Sequence, residues 1–290
     1  MVEVDVRAEQ VTDPCTEHGE GPVWDTAGGV LRFVDMLAGA VLTFDPVTGG
    51  VTRSAVADVA AALRPRRSGG WVLATERGFA LLDPGDLEAP DDAAPVWIEA
   101  FTDKGIRMND GGCDPQGRFY CGTMAYSQDP GLGTLYRLDP DQSVHEVVGD
   151  LTVSNGLCWT PDGESAYFVD SPTKRIDVCA FDPKTGELQD RRPFVTITDG
   201  LPDGLTVDAD GGVWVALYGA GAVHRYDRHG TLDLVVEVPV SQPTSCAFVD
   251  RDLFITTTRE NLPEGAEPAA GALFHLRPGA RGVPPLAFAG

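Results

Sequence analysis

Apolar and polar positions alternate with a period of two over short runs of this chain, the spacing of half-buried strands. VLRFVD (30–35), RFYCGTM (118–124), SAYFVD (165–170), GVWVALYG (212–219) and DLFITTT (252–258) are such runs, bounded by Gly, Pro and Asp. Sustained helical periodicity is absent. VADVAAALRP (56–65) suits either a helix or a short Ala-rich strand and turn.

The turns between these runs repeat. DTAGG (25–29), RRSGG (66–70), DPQGR (114–118), TPDGE (160–164) and DADGG (208–212) are copies of one element, and VDRD (249–252) is a weaker sixth. Their anchor glycines, Gly28, Gly69, Gly117, Gly163 and Gly211, are separated by 41, 48, 46 and 48 residues. Each turn precedes a strand, and a second strand leads to a turn such as FDPVTG, RLDPD or FDPKTG. That period is one four-stranded propeller blade. The expectation is therefore an all-β, six-bladed β-propeller forming a single domain over residues 1–290. An open ring would leave an exposed edge. The stretch before Glu20, or the tail around LAFAG, is expected to supply the closing strand.

Composition narrows the function. A formal charge of −22, spread along 290 residues, excludes nucleic acid and anionic membrane as partners, since both need clustered cations. No run reaches the length of a membrane-spanning helix. The first residues, MVEVDVRAEQ, alternate and carry charge, so they lack the apolar core of a signal peptide, and a cytoplasmic location is the expectation. The six Cys include no C-x-x-C pair and read as buried free thiols. No H-x-x-x-H, Gly-x-Ser-x-Gly elbow or phosphate-binding Gly loop is present.

In a propeller, side chains at the mouth of the inner strands converge on the axis. Glu20, Asn155 and Asp203 stand at the heads of three repeats, in GEGPVWD (19–25), SNGLCWTPDG (154–163) and PDGLTVDADG (202–211). Turn chemistry alone accounts for an isolated Asp or Asn before Gly. Yet the chain has only three Asn (Asn109, Asn155 and Asn261), and two of them lie in the most distinctive repeat heads. Two carboxylates and an amide oxygen suit a hard divalent cation, Ca²⁺, Mg²⁺ or Mn²⁺, with Zn²⁺ less favoured by softness. Three protein ligands also leave room for water and substrate. In RMNDGG (107–112), Arg107 and Asn109 alternate with Met108 and so share a face, where Arg107 can bind a substrate oxygen.

These motifs resemble the family of senescence marker protein (regucalcin) and gluconolactonase. The resemblance rests on R-x-N-D-G-x-x-D-P-x-G-R-x-x-x-G-T-M at Arg107–Met124, S-N-G-L-x-W at Ser154–Trp159 and P-D-G-x-x-x-D-x-x-G-x-x-W-V-A at Pro202–Ala216. It extends from GEGPVW to QPTSCAF (242–248). It implies a six-bladed propeller that hydrolyses sugar lactones with one divalent metal. The metal ligands then fall on Glu20, Asn155 and Asp203, and the substrate contacts on Arg107 and Asn109. Asp203 falls on the suspected general base. Where animal members carry an acidic substrate contact after G-T-M, this chain reads AYSQDPG (125–131), with Ser127 at the equivalent place. His18 shares the face of Glu20 if the segment is extended, either lining the pocket or lying in an exposed loop. The implied partner is a small lactone such as gluconolactone. A non-sugar lactone, ester or phosphotriester on the same site, and a non-catalytic calcium-binding propeller, are the alternatives. Oligomeric state is not fixed by the sequence.

Overall fold

The computed structural model of the protein describes residues 6–290, so the first half of MVEVDVRAEQ lies outside the described residues. Six sheets follow one another around an axis, each built of four antiparallel strands and one extended by a short parallel strand. Their inner strands are Gly19–Asp25, Ala62–Pro65, Ile106–Cys113, Ser154–Trp159, Leu201–Val207 and Pro243–Val249, which define blades one to six. Each inner strand packs against the inner strand of the next blade, and the sixth packs against the first. Among the described residues there is no α-helix, only three short 3₁₀ turns. The ambiguous segment 56–65 resolves as irregular chain followed by the strand Ala62–Pro65.

Period-two alternation explains why the blades stack. Successive side chains of a strand point to opposite faces, so each blade feeds two interfaces. In blade three, Phe119 and Cys121 pack on Val72, Phe79 and Leu81 of blade two. Tyr120, between them, packs on Leu157, Trp159 and Phe168 of blade four. Tyr167 and Val169 then face the other way, onto Val213 and Val215 of blade five. Each of the six interfaces between neighbouring blades holds its own apolar cluster. Cys113, Cys121, Cys179 and Cys246 are buried free thiols as expected, whereas Cys15 and Cys158 are half-buried.

Of the two candidates for closing the ring, the stretch before Glu20 does it. Glu9–Gln10 pairs antiparallel with Phe274–Leu276 as the outermost strand of blade six. Val6–Arg7 adds in parallel to the edge strand Leu232–Glu237 of blade five. The tail instead crosses the hairpin-turn side of the ring. Gly282 N donates to Asp250 O, Phe288 N to Pro65 O and Ala289 N to Gly117 O, at 2.7–2.8 Å. Val283–Leu286 line a pocket of about 110 Å³ together with Asp110 and Arg64.

Candidate metal and active site

The inner strands are not regular where the predicted residues lie. Their pairing slips after Glu20, Met108, Asn155, Pro202 and Pro243, in five of the six blades. A bulge leaves a residue out of the ladder and re-aims its side chain. The residues left out are Gly21–Pro22, Asn109–Asp110, Gly156, Asp203–Gly204 and Thr244, so the irregularity falls on Asn109 and Asp203 and directly after the paired Glu20 and Asn155.

Small residues then bring the strands together. A Cβ on Gly156 would stand 2.5 Å from Leu205 Cγ and 2.8 Å from Asp203 O of the next blade. A Cβ on Gly204 would stand 2.2 Å from Ser245 Oγ. Only glycine permits so close an approach between neighbouring inner strands.

The approach to each inner strand is also clamped. In blade one, Asp35 Oδ1 accepts hydrogen bonds from the backbone N–H groups of Glu17 and His18, at 3.1 and 2.9 Å. In blade four, Asp170 Oδ1 accepts from Thr152 and Val153, at 3.2 and 2.9 Å. Both clamps end two residues before a candidate ligand, Glu20 or Asn155. Both aspartates close the second strand of their blade, in the repeated sequence FVD. That repetition is visible in the sequence and marks a positioning role for both aspartates.

A buried chain of hydrogen bonds joins the candidate residues. Arg107 Nη1 donates to Asn109 Oδ1 at 2.6 Å. Asn109 Nδ2 donates to Ser154 O at 3.0 Å and to Asn155 Oδ1 at 2.9 Å. Asn155 Nδ2 donates to Ser171 Oγ at 2.8 Å, and Ser171 Oγ donates to Pro202 O at 2.6 Å, beside Asp203. The hydroxyl hydrogen of Ser171 is committed to Pro202, so Ser171 receives only a donor from Asn155. This fixes which end of the Asn155 amide is oxygen. Ser171 follows the clamp Asp170 directly, yet nothing in the sequence marked its link to Asn155.

Electrostatics favour a cation here. Burial, then the charges of Asp203 and Asp110, push the Glu20 carboxyl well above its usual range. Burial, then Asp110, does the same to Asp203. Asp110 is a third buried carboxyl, raised by burial and eased by Arg64. Asp110 stands in the N-D-G motif, where turn chemistry alone would account for it. Asp203 Oδ1 is buried with no hydrogen-bond partner among the described residues. An unpaired buried carboxylate oxygen is costly. Two crowded carboxylates, an orphaned oxygen and an oriented amide form a donor set that a hard divalent cation fits. No group of three or more His, Cys, Asp and Glu is arranged as a ligand set among the described residues.

Arg107 is buried, and burial pulls its guanidinium down, opposed by Tyr126, Glu260 and Glu20. Its Nη1 also reaches Met108 O and Met36 Sδ, both at 3.0 Å. The Tyr126 ring lies 5.9 Å from the guanidinium carbon, and its hydroxyl donates to Glu76 Oε1 at 2.8 Å. Ser127 is exposed and donates to Asp129 Oδ2 within its own turn at 2.8 Å, so the structure does not bring it to these residues. His18 is held in place, not in a free loop. It pairs with Thr258 as an isolated bridge, and its Nδ1 lies 2.9 Å from Glu260 Oε2.

The family described as the SMP-30/gluconolactonase/LRE-like region matches residues 18–259. Regucalcin of Xenopus laevis is 33% identical over 301 residues, covering 98% of this chain and 99% of its own length. A putative sugar lactone lactonase, YvrE, of Bacillus subtilis is 32% identical over 281 residues, covering 94% of this chain and 95% of its own. Among solved structures, a calcium-binding protein, regucalcin, from Agrobacterium tumefaciens superposes with a TM-score of 0.89 at 28% identity, covering 98% of this chain and 97% of that one.

Proposed function

Because this chain belongs to the SMP-30/gluconolactonase/LRE-like family, we propose that it is a lactonase that opens the cyclic ester of a sugar acid. One divalent cation, Ca²⁺, Mn²⁺, Zn²⁺ or Mg²⁺, would be held by Glu20, Asn155 and Asp203. The single observation that carries the reading is the crowding of buried Glu20 and Asp203, with the orphaned Oδ1 of Asp203, beside an amide whose orientation is fixed. A relative named as a putative sugar lactone lactonase supports the substrate class.

The cation, when bound, supplies a Lewis acid for the ester carbonyl and lowers the pKa of water beside it. The remaining work falls to side chains. Nη1 of Arg107 makes the guanidinium's hydrogen bonds to the protein, which leaves Nε and Nη2 as a fork for a substrate oxygen. Asn109 spends its amide on Arg107, Ser154 and Asn155, so it aligns Arg107 with the ligand set. Asp203 Oδ1 takes a proton from water as the water oxygen bonds to the carbonyl carbon, and returns it to the ring oxygen as the acyl–oxygen bond breaks, giving the open hydroxy acid. A cation on Asp203 weakens it as a base, so this transfer and ligation compete for the same carboxylate.

A second reading, a non-sugar lactone, an aryl ester or a phosphotriester on the same site, is favoured by one observation. Ser127 is exposed and bonded within its own turn, so the position after G-T-M offers no contact for a sugar hydroxyl. Acid release followed with a pH indicator, across aldonolactones, an aryl ester and a phosphotriester, separates the two. Fastest turnover of an aldonolactone supports the proposal. No acid above the spontaneous background for any lactone, with each metal added, overturns it in favour of a calcium-binding protein.

A further inference from the structure

Blade six places a carboxylate at the mouth of the site that no motif pointed to. Glu260 follows the second strand of that blade, Asp252–Thr257. Its backbone N–H donates to Thr258 Oγ1 at 3.0 Å, which fixes the start of the loop. Thr258 Oγ1 in turn donates to Glu17 O at 2.9 Å, tying the loop to blade one. Glu260 Oε2 lies 2.9 Å from His18 Nδ1, while Oε1 has no partner among the described residues. The Glu260 side chain is 36% exposed and that of His18 is 12% exposed, so the acid faces open space and the imidazole backs it.

Contiguous bonds connect this pair to the site. Met36 N donates to His18 O at 2.9 Å, and Met36 Sδ receives Arg107 Nη1 at 3.0 Å. Along the other flank, Thr258 N donates to Gln242 O at 3.1 Å and Gln242 Nε2 donates to Tyr218 Oη at 2.8 Å. His18 precedes the inner strand of blade one and Arg107 lies at the start of that of blade three, so Glu260 on His18 stands at the same end of the ring as Arg107. Its Oε1 is a hydrogen-bond acceptor at that end of the ring.

We propose that Glu260, held by His18, is the acceptor for a substrate ring hydroxyl, the contact that Ser127 does not make on blade three. This rests on the lactonase reading above and sharpens it: the preferred substrate is a lactone carrying a hydroxyl on the blade-six side. A hydroxyl donating to a fixed carboxylate is a charge-assisted bond, stronger than a neutral one. An amide in its place keeps the shape and loses the charge.

The test compares glucono-δ-lactone with unsubstituted δ-valerolactone, which has the same ring and no hydroxyls, in wild type and Glu260→Gln. The expected result is a fall of about 10-fold in the ratio of kcat/KM for the two lactones, carried by KM for the hydroxylated one. An unaltered ratio overturns the proposal while leaving the lactonase reading intact. Saturation-transfer NMR of 1,5-anhydroglucitol, a cyclic polyol with no ester, adds a readout independent of turnover. Binding to wild type that weakens in Glu260→Gln supports the proposal even if no lactone is hydrolysed. Equal binding by both, or none by wild type, counts against it.

Discussion

Replacing Ser171 by Ala removes one oxygen and tests how the candidate site is oriented. Ser171 Oγ accepts from Asn155 Nδ2 at 2.8 Å and donates to Pro202 O at 2.6 Å, all buried. In the native arrangement a turned-over Asn155 amide would face Asn109 Nδ2 with its own Nδ2, and would meet Ser171 Oγ with a carbonyl while that hydroxyl is already donating to Pro202. Two hydrogen bonds therefore hold Asn155 Oδ1 on the Asn109 side, each worth about 1 kcal/mol net. Ser171→Ala deletes one of them and leaves Asn155 Nδ2 and Pro202 O without partners, at about 1–3 kcal/mol each before relaxation. The expected outcome is a destabilised but folded protein whose affinity for a divalent cation falls by about 10- to 100-fold, the range for loss of an outer hydrogen bond to a ligand. Calorimetric titration of Mn²⁺ or Ca²⁺ into chelator-treated wild type and variant reads the affinity, and thermal unfolding reads the stability. Metal affinity within twofold of wild type, in a variant shown to be destabilised, would refute the claim that this hydroxyl orients a ligand.

Two further outcomes follow from the framework. Gly204→Ala places a Cβ 2.2 Å from Ser245 Oγ and 2.9 Å from Ser245 Cα, whereas Gly149→Ala meets nothing within 4 Å. The first should cost at least about 1–3 kcal/mol and weaken cation binding, and the second should be near neutral by chemical denaturation; similar effects would contradict the close-approach argument. Asp208 is buried, which alone would raise its pKa, but the bonds from Arg225, Trp214 Nε1 and Gly212 N outweigh burial and hold it below its ordinary 3.8. A carboxyl lowered on folding stabilises above its unfolded pKa, and that contribution is lost as pH falls through the folded value. Asp208→Asn should therefore cost about 3 kcal/mol at neutral pH, with the gap to wild type narrowing in acid below about pH 4; a gap that widens in acid would contradict the assignment.

The ring was legible because its repeat is written in turns. DTAGG, DPQGR, TPDGE and DADGG each end a first strand and begin a second, and all four stand in that place. The convergence of Glu20, Asn155 and Asp203 could be expected from their common place in the repeat. What the sequence withheld depends on contacts between blades. Ser171 accepts from Asn155 within blade four, but its hydroxyl is oriented by a hydrogen bond to the blade-five carbonyl of Pro202. Glu260 reaches the mouth from a loop with no repeat signal, and its partner His18 is 242 positions away. Ser127 was placed by alignment to a motif, but alignment carries no side-chain direction, and a local bond to Asp129 turned it outward. The tail LAFAG was a fair candidate for ring closure because its apolar residues need cover, and Phe288 finds that cover across the turn side of the ring.

The central claim is that Glu20, Asn155 and Asp203 hold one cation that supports lactone hydrolysis. Its most direct measurement is the initial rate of glucono-δ-lactone hydrolysis by chelator-stripped protein as Mn²⁺, Zn²⁺ or Ca²⁺ is added back in steps. The account predicts a rate at background without metal that rises to a plateau at one equivalent, and no such rise in Asp203→Ala. Full activity in the stripped protein, or the same plateau in Asp203→Ala, would contradict it.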